Sequence, residues 1–187
     1  MYRAMTLKVL KHGIDLSDEE MIGELANTTE VRLEKNNDDV RVFLDKQDVT
    51  SEIRSPAVTK AVSAVSSYHK VRELMVREQR RMGKAGGIVL EGRDIGTVVF
   101  PNADLKIYMV ANVEERAKRR QRDLEKQGVK VTLDDVITDI LERDQKDSKR
   151  NISPLRKAED AILIDTSTLT VEEQVKTIVR KTEEILR

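Results

Sequence analysis

The chain has 187 residues, the size of one domain with room for a small insert, and 39% of them are apolar, enough for a packed core. Lys and Arg number 34 and Asp and Glu 34, so the formal charge is zero, which weighs against non-specific binding to nucleic acid or to an anionic membrane. With no Cys, two His, three Tyr, two Phe and no Trp, disulfides, thiolate metal sites and a Cys nucleophile are excluded, and a His-based zinc centre or base-stacking platforms are disfavoured.

No apolar run approaches a membrane span, and Met1-Tyr2-Arg3-Ala4 lacks a signal-peptide pattern, so a cytoplasmic protein is expected. Residues 1–12 read as a helix with Leu7 and Leu10 on one face, stopped by Gly13. Ser17-Asp18-Glu19-Glu20 reads as a capping box for a second helix running to about Ala26. The period then changes to two: Val31 and Leu33, a turn cluster Asn36-Asn37-Asp38-Asp39, then Val40, Val42 and Leu44. This predicts a β-hairpin with a third short strand near Val49, as a small insert over roughly residues 27–50.

Ser55-Pro56 opens a helical stretch, broken near Tyr68-His69 and ended before Gly86-Gly87. Three short apolar runs are expected to be buried strands: Gly87 to Glu91, Leu105 to Val110 and Ala161 to Asp165. Between and after them, helices are expected from caps at Asn112 to Glu115, Thr132 to Asp135 and Thr170 to Glu173. Leu133, Val136, Ile137, Ile140 and Leu141 form an apolar stripe, and Pro154 closes that segment. Short β-branched runs alternating with amphipathic helices indicate an α/β fold with a parallel sheet flanked by helices.

Ligands of open α/β sheets bind beyond the carboxyl ends of the strands, where Glu91-Gly92-Arg93-Asp94 is expected. Arg93 suits a phosphate and Asp94 a donor edge of a base or sugar; a solvated turn with a local ion pair is the plainer alternative. Arg143, Asp147 and Arg150 stand at i, i+4 and i+7, on one helix face opposite the apolar stripe. That face could wrap a polar ligand, or be a surface salt-bridge ladder. Arg116, Lys118, Arg119, Arg120 and Arg122 could clamp phosphates, or be a solvated face balanced by Glu114, Glu115, Asp123 and Glu125. Ser63 and Arg72 lie on helical segments and carry no signal in isolation.

Taken together, the run from Glu91-Gly92-Arg93-Asp94-Ile95-Gly96-Thr97 to Pro101 is very similar to the one that marks bacterial cytidylate kinases. So are Ser51-Glu52-Ile53-Arg54, followed at the family's spacing by Val71-Arg72, and Glu142-Arg143-Asp144 through Asp147 to Arg150 ahead of Ala158-Glu159-Asp160-Ala161. The hairpin insert resembles the family's extra β-subdomain. The resemblance covers essentially the whole chain and implies one nucleoside monophosphate kinase domain over residues 1–187, with residues 112–150 as its lid region. It implies phosphoryl transfer from ATP, with Mg²⁺, to CMP or dCMP, giving CDP or dCDP and ADP. It also implies small-molecule nucleotides as partners, no nucleic acid or membrane, a monomer, and no metal ligands of the protein's own among the assigned residues.

Residue by residue, the resemblance gives Arg3 and Arg93 the CMP phosphate, and Arg72, Asp94 and Arg150 the cytosine edge. Ser63, Arg143 and Asp147 receive the pentose, and Arg116, Arg119 and Arg120 the ATP lid; Arg93 and Arg143 are the catalytic pair. Glu91 stands where the family often has Asp, and a carboxylate is kept. Adenylate- and uridylate-type kinases are the nearest rivals, and an α/β protein binding RNA through the 116–122 stretch is a non-enzyme alternative. The resemblance also implies a strand, a G-x-x-x-x-G-K-[ST] loop and a helix near the start. No such loop occurs in the 187 residues. The expectation is therefore that Met1 is an internal methionine and that a β-α-β unit of about 30 or more residues is missing. A catalytically inactive nucleotide-binding remnant is the alternative.

Overall fold

The computed structural model describes residues 1–36, 39–126, 128–150 and 152–185. The chain divides into two compact units, Met1–Ile88 and Val89–Arg187.

The first unit opens with α1 (Tyr2–Lys11), ended by Gly13, whose φ of 64° is left-handed and closed to most side chains. Helix α2 (Glu19–Asn27) is capped one residue later than expected. The Asp18 carboxylate accepts the Met21 amide at 2.9 Å, while the amide and hydroxyl of Ser17 donate to Asp15 at 2.8 and 2.7 Å. Asp15 thus takes Ser17 into a local turn and leaves the cap to the next polar residue. The period-two segment forms an antiparallel sheet of β1 (Val31–Asn36), β2 (Asp39–Leu44) and β3 (Gln47–Asp48), in that order. Its register pairs Val31 with Leu44 and Leu33 with Val42. Val31, Val42 and Leu44 are buried, and Arg32 lies 4.6 Å over the ring of its cross-strand partner Phe43. The expected turn residues Asn37 and Asp38 lie outside the described residues. Helices α3 (Pro56–Val65) and α4 (His69–Met82) follow. Helix α1 packs on α3 and β2, and α2 packs on α4. Met5, Val9, Ile22, Val58, Val65, Val71 and Met75 fill the core between these elements.

The run Gly87 to Glu91, where the first unit ends and the second begins, is not a strand, contrary to expectation; it is irregular, and Val89 is 97% exposed. A strand is held by its neighbour's hydrogen bonds, and among the described residues no ladder forms here. The left-handed φ of Gly86 and Gly87 also takes the chain out of an extended path. The other two runs do pair in parallel, as β4 (Ile107–Val110) and β5 (Ile162–Asp165), with Ile107 beside Ile162 and Val110 beside Asp165. They are less buried than expected: Ile164 is buried, whereas Met109, Ile162 and Leu163 are exposed.

Helix α5 (Val113–Lys126) starts where the Asn112 side chain accepts the Glu115 amide at 2.7 Å. Helix α6 (Leu133–Lys149) carries the full capping box of Thr132 and Asp135 and ends before Arg150, well short of Pro154. Thr170 and Glu173 cap α7 (Val171–Ile185) in the same reciprocal way. Helices α5 and α6 pack on each other. Among the described residues no helix is long and apolar enough to cross a membrane. The whole is a mixed α/β protein with one parallel and one antiparallel sheet among the described residues.

Candidate active site

Two carboxylates one turn apart on α6, Asp144 and Asp147, organise the second unit's polar centre. Asp147 is buried, its side chain 7% exposed, and it faces three guanidinium groups. Its Oδ2 lies 3.2 Å from Arg93 Nε and 3.9 Å from Arg143 Nε, and its Oδ1 3.8 Å from Arg150 Nη1. Asp144 accepts a hydrogen bond from Arg116 Nη1 at 2.6 Å, and its other oxygen lies 3.8 Å from Arg93 Nη1. Helical spacing puts Arg143 and Asp144 each within one turn of Asp147, Arg150 follows as the extended C-cap of α6 rather than on its face as expected, and the packing of α5 on α6 delivers Arg116.

Four guanidinium groups therefore meet two carboxylates, leaving a surplus of positive charge. Burial first, then the neighbouring Arg93 guanidinium, hold the Arg143 guanidinium below its ordinary pKa, with Arg120 adding to the crowding and Asp147 and Asp144 opposing it. The buried Nε atoms of Arg143 and Arg116 have no hydrogen-bond partner among the described residues. Donors held out of water without an acceptor are costly unless a ligand supplies one.

Arg119 sits apart from this cluster. Its Nε donates to Glu115 at 3.0 Å, and its Nη2 donates to the Thr166 carbonyl at 2.7 Å. Thr166 is buried, and its amide and hydroxyl both donate to the Val110 carbonyl, at 2.7 and 3.0 Å. Arg119 thus anchors α5 at the carboxyl ends of β4 and β5, the edge where ligands of parallel sheets collect. Asp94 is buried at the head of a single π-turn, Ile95–Val99, and its carbonyl accepts the Val98 amide at 2.9 Å. A Cβ on Gly92 would stand 2.9 Å from Ile95 Cγ1, so a larger residue there would push the Ile95 side chain aside.

The first unit gathers its assigned residues along α3. Thr59, Ser63 and Ser66 follow one another at i, i+4 and i+7 on one face. Arg3 donates from Nη2 to the Thr59 hydroxyl at 2.7 Å and from Nε to the Ile53 carbonyl at 2.6 Å. Arg72, 2% exposed, donates to the Ser66 carbonyl at 3.0 Å and lies 5.3 Å over the Tyr2 ring. Ser63, half-buried, stands between the two contacts.

Sequence reasoning named Arg93, Arg116, Arg143, Asp147 and Arg150, and the structure brings these together within the second unit. It gave no role to Asp144, Thr59 or Thr166. The i, i+3 spacing of Asp144 to Asp147 was the available signal for Asp144; Thr59 and Thr166 contact residues far away in the chain and left none.

Comparison with known proteins covers nearly the whole chain. Residues 1–184 match the family model described as Cytidylate kinase. The chain is 49% identical over 173 residues to a cytidylate kinase of Bacillus pumilus, covering 92% of this chain and 77% of the relative. It is 45% identical over 184 residues to a cytidylate kinase of Bacillus subtilis strain 168, covering 98% of this chain and 82% of the relative. A bifunctional pantoate ligase/cytidylate kinase of Trichormus variabilis is 48% identical over 183 residues, which make up 96% of this chain and 34% of that longer protein.

Proposed function

This chain belongs to the cytidylate kinase family, and from that premise we propose that it transfers the γ-phosphoryl group of ATP to CMP or dCMP, giving ADP and CDP or dCDP. It is a kinase, and its family places it in pyrimidine nucleotide metabolism. The observation that carries the substrate reading is the guanidinium surplus around Asp144 and Asp147. A cluster with more cations than carboxylates, and with buried donors left over, suits a ligand bearing several negative charges.

The chemistry asks little else of the protein. A phosphate monoester with a second pKa of about 6 is already mostly a dianion at neutral pH, so the attacking CMP oxygen needs no general base. That oxygen bonds to the γ-phosphorus as the bond to the bridging oxygen breaks, and ADP leaves with the electron pair. What the reaction needs is alignment and neutralisation of the charge spread over the transferred group. Arg93 and Arg143 are assigned that neutralisation, with Arg3 at the CMP phosphate. Arg72, Asp94 and Arg150 are assigned to the cytosine, and Ser63, Arg143 and Asp147 to the pentose. Arg116, Arg119 and Arg120 are assigned to ATP. Among the described residues no three His, Asp or Glu side chains are grouped to hold a metal ion, so a protein cage for Mg²⁺ does not fit them. Mg²⁺ would be held chiefly by ATP itself, where it would supply neutralisation of phosphate charge.

The test is ADP release from Mg-ATP on addition of CMP, dCMP, UMP or AMP in turn. CMP and dCMP are expected to drive turnover well above the other two, and Arg143→Gln to lower it by about a hundredfold or more. Equal turnover with all four acceptors, or a near-normal rate in the variant, would refute the reading.

A further inference from the structure

We propose that Asp144 is a positioning residue, a carboxylate that holds Arg93 and Arg116 in place of phosphate and yields them when a phosphorylated ligand arrives. The proposal rests on the phosphate reading of the cluster given above. The two oxygens of Asp144 serve two different arginines: Oδ2 takes the hydrogen bond from Arg116 at 2.6 Å, and Oδ1 faces Arg93 at 3.8 Å. A phosphoryl group between the same two guanidinium groups would present its oxygens in the same manner.

The neighbouring carboxylate makes the contrast. Asp147 is 7% exposed and shared by three arginines, which suits a permanent counter-charge. Asp144 is 26% exposed and makes pairs that solvent and salt can reach, which suits an exchangeable one. Its two arginines also come from separate segments, Arg93 from the stretch before the π-turn and Arg116 from α5. An incoming dianion has to displace this monoanion from the same donors, so Asp144 competes with the ligand for Arg93 and Arg116. The buried Nε of Arg116, without a hydrogen-bond partner among the described residues, is an additional donor for that ligand.

The two possible roles of Asp144 predict opposite signs. A plain structural brace, once removed, loosens the arginines and weakens anion binding; a competing stand-in, once removed, strengthens it. The experiment is calorimetric titration of the chain with inorganic pyrophosphate at several salt concentrations. Asp144→Asn is expected to bind it about threefold to fivefold more tightly than the unmodified chain, with a steeper loss of affinity as salt rises, and Asp144→Glu to restore the original affinity. Unchanged or weaker binding in Asp144→Asn, while Arg143→Gln has lost binding, overturns the role of Asp144 alone. If Arg143→Gln binds pyrophosphate as well as the unmodified chain, or if neither binds it, the phosphate reading of the cluster falls and this inference falls with it.

Discussion

Arg143 is a cation held partly out of water beside a second cation, and its neighbour Asp147 is the anion that makes this tolerable. A base whose folded-state pKa lies below its unfolded value loses stability wherever it is protonated in both states, so at neutral pH the full penalty applies. Arg143→Gln is therefore expected to leave the melting temperature unchanged or to raise it, even as turnover collapses; a marked fall in Tm would show that the side chain serves the fold. Asp147→Asn has the opposite sign. Removing the buried carboxylate leaves Arg93, Arg143 and Arg150 facing one another without a counter-charge. Because Arg93 and Arg143 are partly exposed, a loss of about 1–3 kcal/mol is expected in denaturant unfolding. The spacing of Arg143, Asp147 and Arg150 already pointed to one helix face. What it left undecided was whether they formed a solvated ladder; the structure buries Asp147 among them and adds Arg93 and Arg116 from other segments.

At the scale of elements, the β2–β3 hairpin turns on Asp45 and Lys46, both with left-handed backbones, φ of 47° and 72°. Asp tolerates that region better than Lys, which gains nothing there. Lys46→Gly is expected to stabilise the protein by about 0.5–1 kcal/mol, measured as a rise in the denaturant midpoint. Asp45 has a further role. Its carboxylate pairs with Lys8 of α1 at 2.7 Å and accepts the Glu30 amide at 3.0 Å, which ties the hairpin to the first helix. Burial pushes the Asp45 carboxyl up, but the hydrogen bonds from Lys8 and Glu30 outweigh it and hold the group below its ordinary value. A depressed carboxyl adds stability above its unfolded pKa of about 4 and loses it as the pH falls through the lower folded value. Asp45→Asn is expected to flatten the acid limb of stability below about pH 4 while costing stability at neutral pH. An acid limb identical to that of the unmodified chain would remove Asp45 from the account.

For the molecule as a whole, the apolar core is distributed unequally between the two units. Among the described residues, the buried apolar side chains of the second unit are Val99, Ala117, Val136 and Ile164, while the first unit holds the large ones, Met5, Ile22 and Met75 among them. Helix α7 buries none of its residues and exposes Val171, Val175 and Val179. Burial of apolar surface is the main source of stability, so resistance to opening should follow this distribution. Met75→Ala is expected to cost about 2–5 kcal/mol, and amide exchange to be slowest in α1, α3 and α4 and fast in α7. Uniform protection across the chain would refute this picture.

The sequence alone determined the elements whose signals are local. Caps at Asn112, Thr132 and Thr170, the proline at the head of α3 and the period-two hairpin each act within a few residues, and each is found close to its expected position. The motif runs from Glu91 to Pro101 and from Glu142 to Arg150 were likewise enough to point to the family that the comparisons show. Tertiary structure decided what depends on distant partners. Gly87 to Glu91 has the composition of a strand, but composition cannot supply a neighbouring ladder. Thr59 and Thr166 carry no local signal, and their places follow from Arg3 and Arg119 reaching them from other segments. The reason is one of range: caps and periodicity are settled by contacts a few residues apart, whereas strand pairing and the balance of charge in a site belong to segments that only the packed chain brings together.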